Sequence, residues 1–279
     1  MKKCLFFFCA ILLISACNDD KKQALSYLDK ARGFYENGEY TAAKSMLDSI
    51  KARFPKEFEV QKQGLQLMRN IEITEQERNL VYCDSMLIIR TDEAELLKPT
   101  FLFEKDPEYD DIGKYMDKQQ KVENKLQRSY IRSTVNELGE MSLASVYYGS
   151  QPIKHSQLKV SKADGEYADT QDIPYDGGVN YSFTDMGMTT EVVTYNDGKD
   201  DGVILFIYNN KDSALKAEYL GGKKYSYNIS NADKNAVVKT FEFSVILSDI
   251  ERLKKEKEKS QKRIEYLQSK LANDTNQEE

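Results

Sequence analysis

The chain has 279 residues, 40% of them hydrophobic and 31% charged, with a formal net charge of −6. That length supports one or two domains; the composition is too hydrophobic for a disordered polymer, and a mean hydropathy of −0.64 is too polar for a multi-span membrane protein. One His and no Trp leave little material for imidazole chemistry or tryptophan platforms, and the acidic balance carries no electrostatic footprint for nucleic acid.

The first segment reads as an address. Lys2 and Lys3 form a positive start, and Leu5 to Ile14 form an apolar run of ten residues. A membrane-crossing helix needs about 20, so residues 1–16 are expected to be a secretory signal. The end of the run, Ile14-Ser15-Ala16-Cys17, resembles the lipobox of bacterial lipoproteins. The resemblance implies cleavage before Cys17, acylation of its thiol and amine (palmitate among the acyl chains), and residence at the cell outer membrane. Several acyl chains hold a protein at a bilayer far more firmly than one, at about 0.8 kcal/mol per buried CH₂. Asn18-Asp19-Asp20 resembles the acidic surface-export tag of some such lipoproteins and reads equally as a polar tether, so both faces of that membrane stay open. Loss of Lys2 and Lys3 leaves the mature chain at −8.

Cys4 and Cys9 depart with the signal and Cys17 is lipidated, which leaves Cys83 as the one ordinary thiol. The fold must therefore hold without disulfides, and Cys83, within a helical pattern, is expected to be a buried structural thiol.

From residue 24 to 57 apolar residues recur at helical spacing. Leu25, Leu28, Ala31 and Phe34 line a first helix, Gly38 breaks it, and Ala42, Ala43, Met46, Leu47 and Ile50 line a second that Pro55 ends. With Tyr27, Phe34, Gly38, Tyr40, Ala43, Leu47, Ile50 and Pro55 in place, the stretch resembles one tetratricopeptide repeat and looks like repeats in outer-membrane assembly lipoproteins; Lys30-Ala31 departs from the family's Leu-Gly pair. A lone repeat cannot bury its own face, so the hairpin is expected to pack on the next helix rather than to offer a peptide groove.

Two long helices are expected, one over 57–97 and one over about 232–272 with Ser230 or Asn231 as its N-cap. Both carry heptads with apolar ends and a polar middle, which suggests an antiparallel coiled coil with Leu65 facing Leu267, Glu75 facing Lys257, Asn79 facing Leu253 and Met86 facing Ile246. The Lys- and Glu-rich stretch 251–263 reads as a solvated helix face.

Between the helices strand signals dominate. Residues 129–135 and 141–148 read as a hairpin, and 158–161 and 180–184 as shorter strands. Residues 189–195 and 203–209 read as a hairpin around Asn196-Asp197-Gly198, and 214–220 and 224–229 as a meander. Val203 to Tyr208 is apolar on both faces and is expected to be a central strand, covered by the start of the C-terminal helix through Val237, Val238, Phe241 and Phe243. Phe101 to Phe103 reads as a short strand, followed by a polar helical stretch to Lys125.

A search for chemistry finds little. The only His, His155, lies in a loop-like context beside Ser156, and adjacency in sequence does not build a triad. No P-loop, G-x-G-x-x-G or G-x-S-x-G is present. The acidic clusters at 106–111 and 197–201 lack EF-hand spacing and read as solvated turns. Eighteen Tyr are many, and Tyr147, Tyr148, Tyr181, Tyr195, Tyr225 and Tyr227 are expected to form an interaction surface on the β region.

The expected architecture is α+β: signal 1–16, lipidated tether 17–23, tetratricopeptide-like hairpin plus long helix 24–98, mostly antiparallel β-rich domain 99–230, long helix 231–272 and a disordered tail 273–279. The expected function is a non-catalytic protein-interaction or scaffold module, held at the outer membrane by lipid on Cys17 and contacting a protein partner. The alternative is a surface glycan-binding lipoprotein using the Tyr-rich face, and a hydrolase acting through carboxylates is a third class. No cofactor, metal or nucleic acid is expected.

Overall fold

The computed structural model describes residues 4–121 and 127–275, with side chains over 19–121 and 127–274. The expected signal, the acylation site Cys17 and residues 276–279 therefore fall outside what is described in full. Among the described residues no helix is long and apolar enough to cross a membrane. The fold is α+β, and it divides into two compact units whose boundaries fall inside the long helices: residues 1–85 with 255–279, and residues 86–254.

The first unit is helical. Helices α1 (Cys4–Glu36) and α2 (Tyr40–Arg53) form the hairpin read from the sequence. Leu28, Ala31, Ala43, Leu47 and Ile50 make its seam, and Val60 and Ile71 of α3 (Phe58–Leu97) complete the same core. The third helix thus covers the face that the hairpin cannot bury alone. The Gln61 amide donates to the Phe54 carbonyl at 2.8 Å and caps α2. Within α1, Gly33 has nothing within 4 Å of where a Cβ would lie. Gly33→Ala is expected to raise stability by about 0.5–1 kcal/mol through helix propensity alone, read as a higher thermal midpoint with an unchanged circular-dichroism spectrum.

Within this unit α3 runs antiparallel to the C-terminal part of α5 (Asn231–Thr275), but one heptad away from the expected register. Asn79 donates to Ser260 at 2.9 Å instead of facing Leu253. Lys257 pairs with Asp84 at 2.6 Å, Arg263 with Glu72 and Arg69 with Asp274. The helix phase also turns by one residue: Cys83 is buried as expected, while Tyr82 is 54% and Leu65 50% exposed. A seven-residue slip preserves a heptad's apolar pattern, so apolar periodicity cannot choose between the registers. The half-buried Asn79–Ser260 pair and the three ion pairs do. Of the expected tail, Asn273–Thr275 continue α5.

Among the described residues the second unit holds ten strands. In chain order they are β1 (Phe101–Glu104), β2 (Lys114–Asp117), β3 (Tyr130–Asn136), β4 (Met141–Gly149), β5 (His155–Ser161), β6 (Tyr167–Asp169), β7 (Asn180–Asp185), β8 (Met188–Tyr195), β9 (Lys216–Gly221) and β10 (Tyr225–Asn228). They form a six-stranded antiparallel sheet, β1-β2-β3-β4-β8-β7, and a four-stranded antiparallel sheet, β10-β9-β5-β6. The stretch expected to be helical after Phe103 instead supplies β2, because Met116 is buried and Tyr115 turns to the opposite face.

The expected central strand over 203–209 is a helix, α4 (Val203–Asn209). Asp201 and Gly202 take left-handed backbone angles (φ 46° and 88°), so the chain turns into a helix rather than across a hairpin. Val203, Ile204 and Ile207 then share one buried face and Leu205 points outward. A short apolar run is compatible with either element, and the turn before it decides.

The core lies between Ile131, Leu143 and Val193 of the large sheet and Leu158, Val160 and Ala217 of the small one, with α4 and Val237 of α5 closing it. Ser230 caps α5 by accepting from the Asp233 amide at 3.1 Å. Farther along the helix, Thr240 lies 3.0 Å from Ser133 of β3, and Phe243 stacks on Phe101 of β1 at 4.7 Å. The start of α5 therefore covers the large sheet, although the run it was expected to cover, 203–208, is helix α4 and not a strand of that sheet. Within this unit Arg90 of α3 pairs with Asp249 of α5 at 2.9 Å, the same one-heptad shift.

Candidate functional site

The one histidine is not in a loop. His155 opens β5, fully buried, with its ring stacked on Tyr219 at 4.7 Å and an interplanar angle of 14°. Its Nδ1 lies 2.9 Å from Glu191 Oε2, and its Nε2 lies 2.9 Å from Ser145 Oγ. The Tyr195 hydroxyl lies 3.1 Å from the same Ser145 oxygen. Glu191 also accepts from the backbone amides of Ile153 and Lys154, both at 2.8 Å, and of His155 at 3.1 Å. Glu191 thus holds the His155 ring from its Nδ1 side, and Ser145 links the Nε2 side to the Tyr195 hydroxyl.

The order serine, histidine, acid is that of a hydrolytic triad. The surroundings give it another role. Ser145 is wholly enclosed and its oxygen is occupied by Tyr195, so no acyl group can reach it. Burial by itself would raise the Glu191 carboxyl, yet the His155 ring and the Lys154 and His155 amides outweigh it and hold the group below the ordinary carboxylate range. Burial pushes the Tyr195 hydroxyl up to about 12. The network rivets β4 and β8 of the large sheet to β5 of the small one.

Sequence reasoning did not find Ser145 or Glu191. A signal was present: Glu191 shares strand parity with Val193 and Tyr195, so it is an acid on the face that those two residues turn to the core.

The six tyrosines do not form one surface. Tyr195 is 1% exposed, and Tyr147 is buried with its hydroxyl donating to the Gln151 carbonyl at 3.0 Å. Tyr225 and Tyr227 pack on the same core, and the Tyr227 hydroxyl is 3.0 Å from that of Tyr219. Burial raises both of those hydroxyls. Only Tyr148 and Tyr181 lie on the outer face of the large sheet. Successive strand residues point to opposite faces, so adjacent Tyr147 and Tyr148 could not share one.

That outer face carries a groove of about 350 Å³, lined by Tyr148, Tyr181, Phe183, Met186, Met188 and Arg132, among others. Beneath it lie Tyr130, Ala144, Val146 and Val192. Phe183 is 53% and Met186 97% exposed. Met186 (φ 48°) and Gly187 (φ 78°) are both left-handed and close the β7–β8 hairpin as a type I′ turn. On the inner side of the same hairpin lies a cavity of about 580 Å³, bordered by Ser182, Thr184, Thr189, Asn180 and Tyr175, with Glu191 at its wall.

The acidic clusters are turns. Asp106 Oδ1 accepts from the Glu108 amide at 2.9 Å, and Asp200 Oδ2 from the Ile204 amide at 3.3 Å. Among the described residues no group of three His, Cys, Asp or Glu side chains could hold a metal ion. Comparison of the chain with protein-family models, with curated proteins and with solved structures finds no match in any of the three.

Proposed function

We propose that this protein is a lipid-anchored, non-catalytic binding module of a bacterial outer membrane, which holds a protein partner on the outer face of its six-stranded sheet. The anchor rests on Ile14-Ser15-Ala16-Cys17, and the single-repeat resemblance of the helical hairpin is in keeping with envelope lipoproteins. The observation that carries the binding role is the groove of Tyr148, Tyr181, Phe183, Met186 and Met188 on that face. Exposed aromatic and methionine side chains clustered beside an arginine are the composition of protein-binding surfaces. Most of the inward face is committed to the core and the His155 network.

Two measurements test the reading. Cys17→Ser is expected to move the protein from the membrane fraction to the soluble one; retention at the membrane would remove the anchor. A photo-crosslinking phenylalanine analogue in place of Phe183 is expected to yield one discrete protein adduct in intact cells. Absence of any adduct, alongside saturable binding on a glycan array, would replace the partner by a sugar.

A further inference from the structure

We infer that β7 is a docking edge, and that it takes an extended peptide segment of the partner as a further strand of the large sheet. This rests on the protein-binding reading above and specifies how the partner binds. β7 is the end strand of its sheet. Its ladder to β8 has a fixed parity: the Val179 carbonyl accepts from the Thr194 amide at 2.8 Å, and antiparallel bonding alternates. Tyr181, Phe183 and Asp185 therefore bond β8, and the amide and carbonyl of Ser182 and of Thr184 point away from it. Among the described residues nothing bonds those four groups.

One end of the edge is already closed. The Asn180 amide donates to Asp176 Oδ1 at 2.9 Å, and its carbonyl accepts from the amides of Asp176 and Gly177. Pairing is thereby confined to Ser182–Asp185. The other sheet ends are shorter: β1 and β10 have four residues each and β6 three, against six in β7. Asn180-Tyr181-Ser182-Phe183-Thr184-Asp185 contains no Pro, Lys or Arg, the residues by which sheet edges are guarded.

The two cavities fall on opposite faces of this strand. Asn180, Ser182 and Thr184 border the inner one and Tyr181, Phe183 and Asp185 the outer one. A strand added beside β7 would send alternate side chains into each. Edge bonds then give affinity and the two pockets give specificity. The inner pocket offers hydroxyl and amide groups and suits a small polar side chain. The outer groove offers aromatic and thioether surface, with Arg132, which meets no carboxylate among the described residues. It suits apolar side chains and one acid. A second copy of the chain is the weaker occupant, because each mature copy carries −8 and one short strand buries less than the roughly 1,000 Å² of a stable interface.

The test uses the full mature chain carrying Cys17→Ser and a fluorescent ten-residue peptide that alternates leucine with serine and includes one glutamate. Saturable anisotropy change is expected. Two further peptides are N-methylated on one or the other alternate set of amides. One set is expected to lose affinity by about a hundredfold, since it faces β7 and forfeits two backbone bonds, while the other set binds as the parent. Thr184→Pro removes an outward amide without touching the β8 ladder and is expected to abolish binding. Phe183→Ala, which keeps every backbone group, is expected to weaken it about tenfold. No saturable binding up to millimolar peptide, or equal binding of both methylated sets, would overturn the inference. Concentration-dependent dimerisation that Thr184→Pro abolishes would also overturn it by seating a second copy on the edge. If the peptide fails while the Phe183 crosslink persists in the Thr184→Pro chain, strand addition falls and the protein-binding reading stands.

Discussion

Glu191→Ala is expected to cost the β unit about 3–5 kcal/mol, because several hydrogen bonds to one enclosed carboxylate are lost together. The carboxylate accepts from the amides of Ile153, Lys154 and His155 and from the His155 ring. Its removal leaves three buried donors and the half-buried Lys154 amide without an acceptor, and each unsatisfied buried group costs about 1–3 kcal/mol before relaxation. Hydrogen exchange gives a local reading: the amides of residues 153–155 should lose protection by a factor of at least about 100. Unchanged protection there would mean that the carboxylate does not hold the two sheets. The pH dependence has a definite sign. Because the folded-state pKa of Glu191 lies below its ordinary value, its contribution is present above about pH 4.3 and is lost as pH falls through the folded pKa. The wild type should therefore destabilise on acidification more steeply than Glu191→Ala. Tyr195 gives the alkaline limb. With a folded pKa of about 12, its contribution holds below about pH 10 and is lost as pH rises toward that value.

Local pattern in the sequence located most strands and the helical hairpin, because burial on one face imposes a period that the order of apolar and polar residues carries. Ser133 and Val135 face inward and Arg132 and Thr134 outward, and the β3–β4 hairpin is where that alternation puts it. Three features were hidden for separable reasons. The run Val203–Tyr208 has no polar residue to set a period, so the turn at Asp201-Gly202 chose the helix. The coiled-coil register depended on which polar residues meet, Asn79 with Ser260, and a repeat of seven is silent on that. The His155 network joins residues 145, 155, 191 and 195 across three strands, and no linear spacing announces it. The candidate site was half legible. Tyr148 and Tyr181 were found as aromatic strand residues, but the edge position of β7 belongs to topology. The sequence places no mark on a strand that pairs on one side only, except the lack of guarding Lys and Pro.

Phe243→Ala is expected to destabilise the β unit by about 3–5 kcal/mol, a transfer loss plus a cavity that the surroundings cannot fill. The ring is wholly buried, stacked on Phe101 at 4.7 Å and edge-on to Tyr115 at 5.2 Å, with Ala94, Val135 and Leu247 around it. Those neighbours belong to α3, β1, β2, β3 and α5, so no single element can move in without dragging another. Phe243→Leu retains much of the volume and should cost about 1–1.5 kcal/mol; a loss as large as that of the alanine variant would assign the effect to ring stacking rather than to the void. The position also separates stability from binding. β1 and β7 are the opposite ends of the six-stranded sheet, and sites far apart with no shared partner act additively. Peptide affinity at β7, measured well below the midpoint of unfolding, should therefore be unchanged in Phe243→Leu. A parallel loss of affinity and stability would show that the β7 edge depends on the packing at the far end of its sheet.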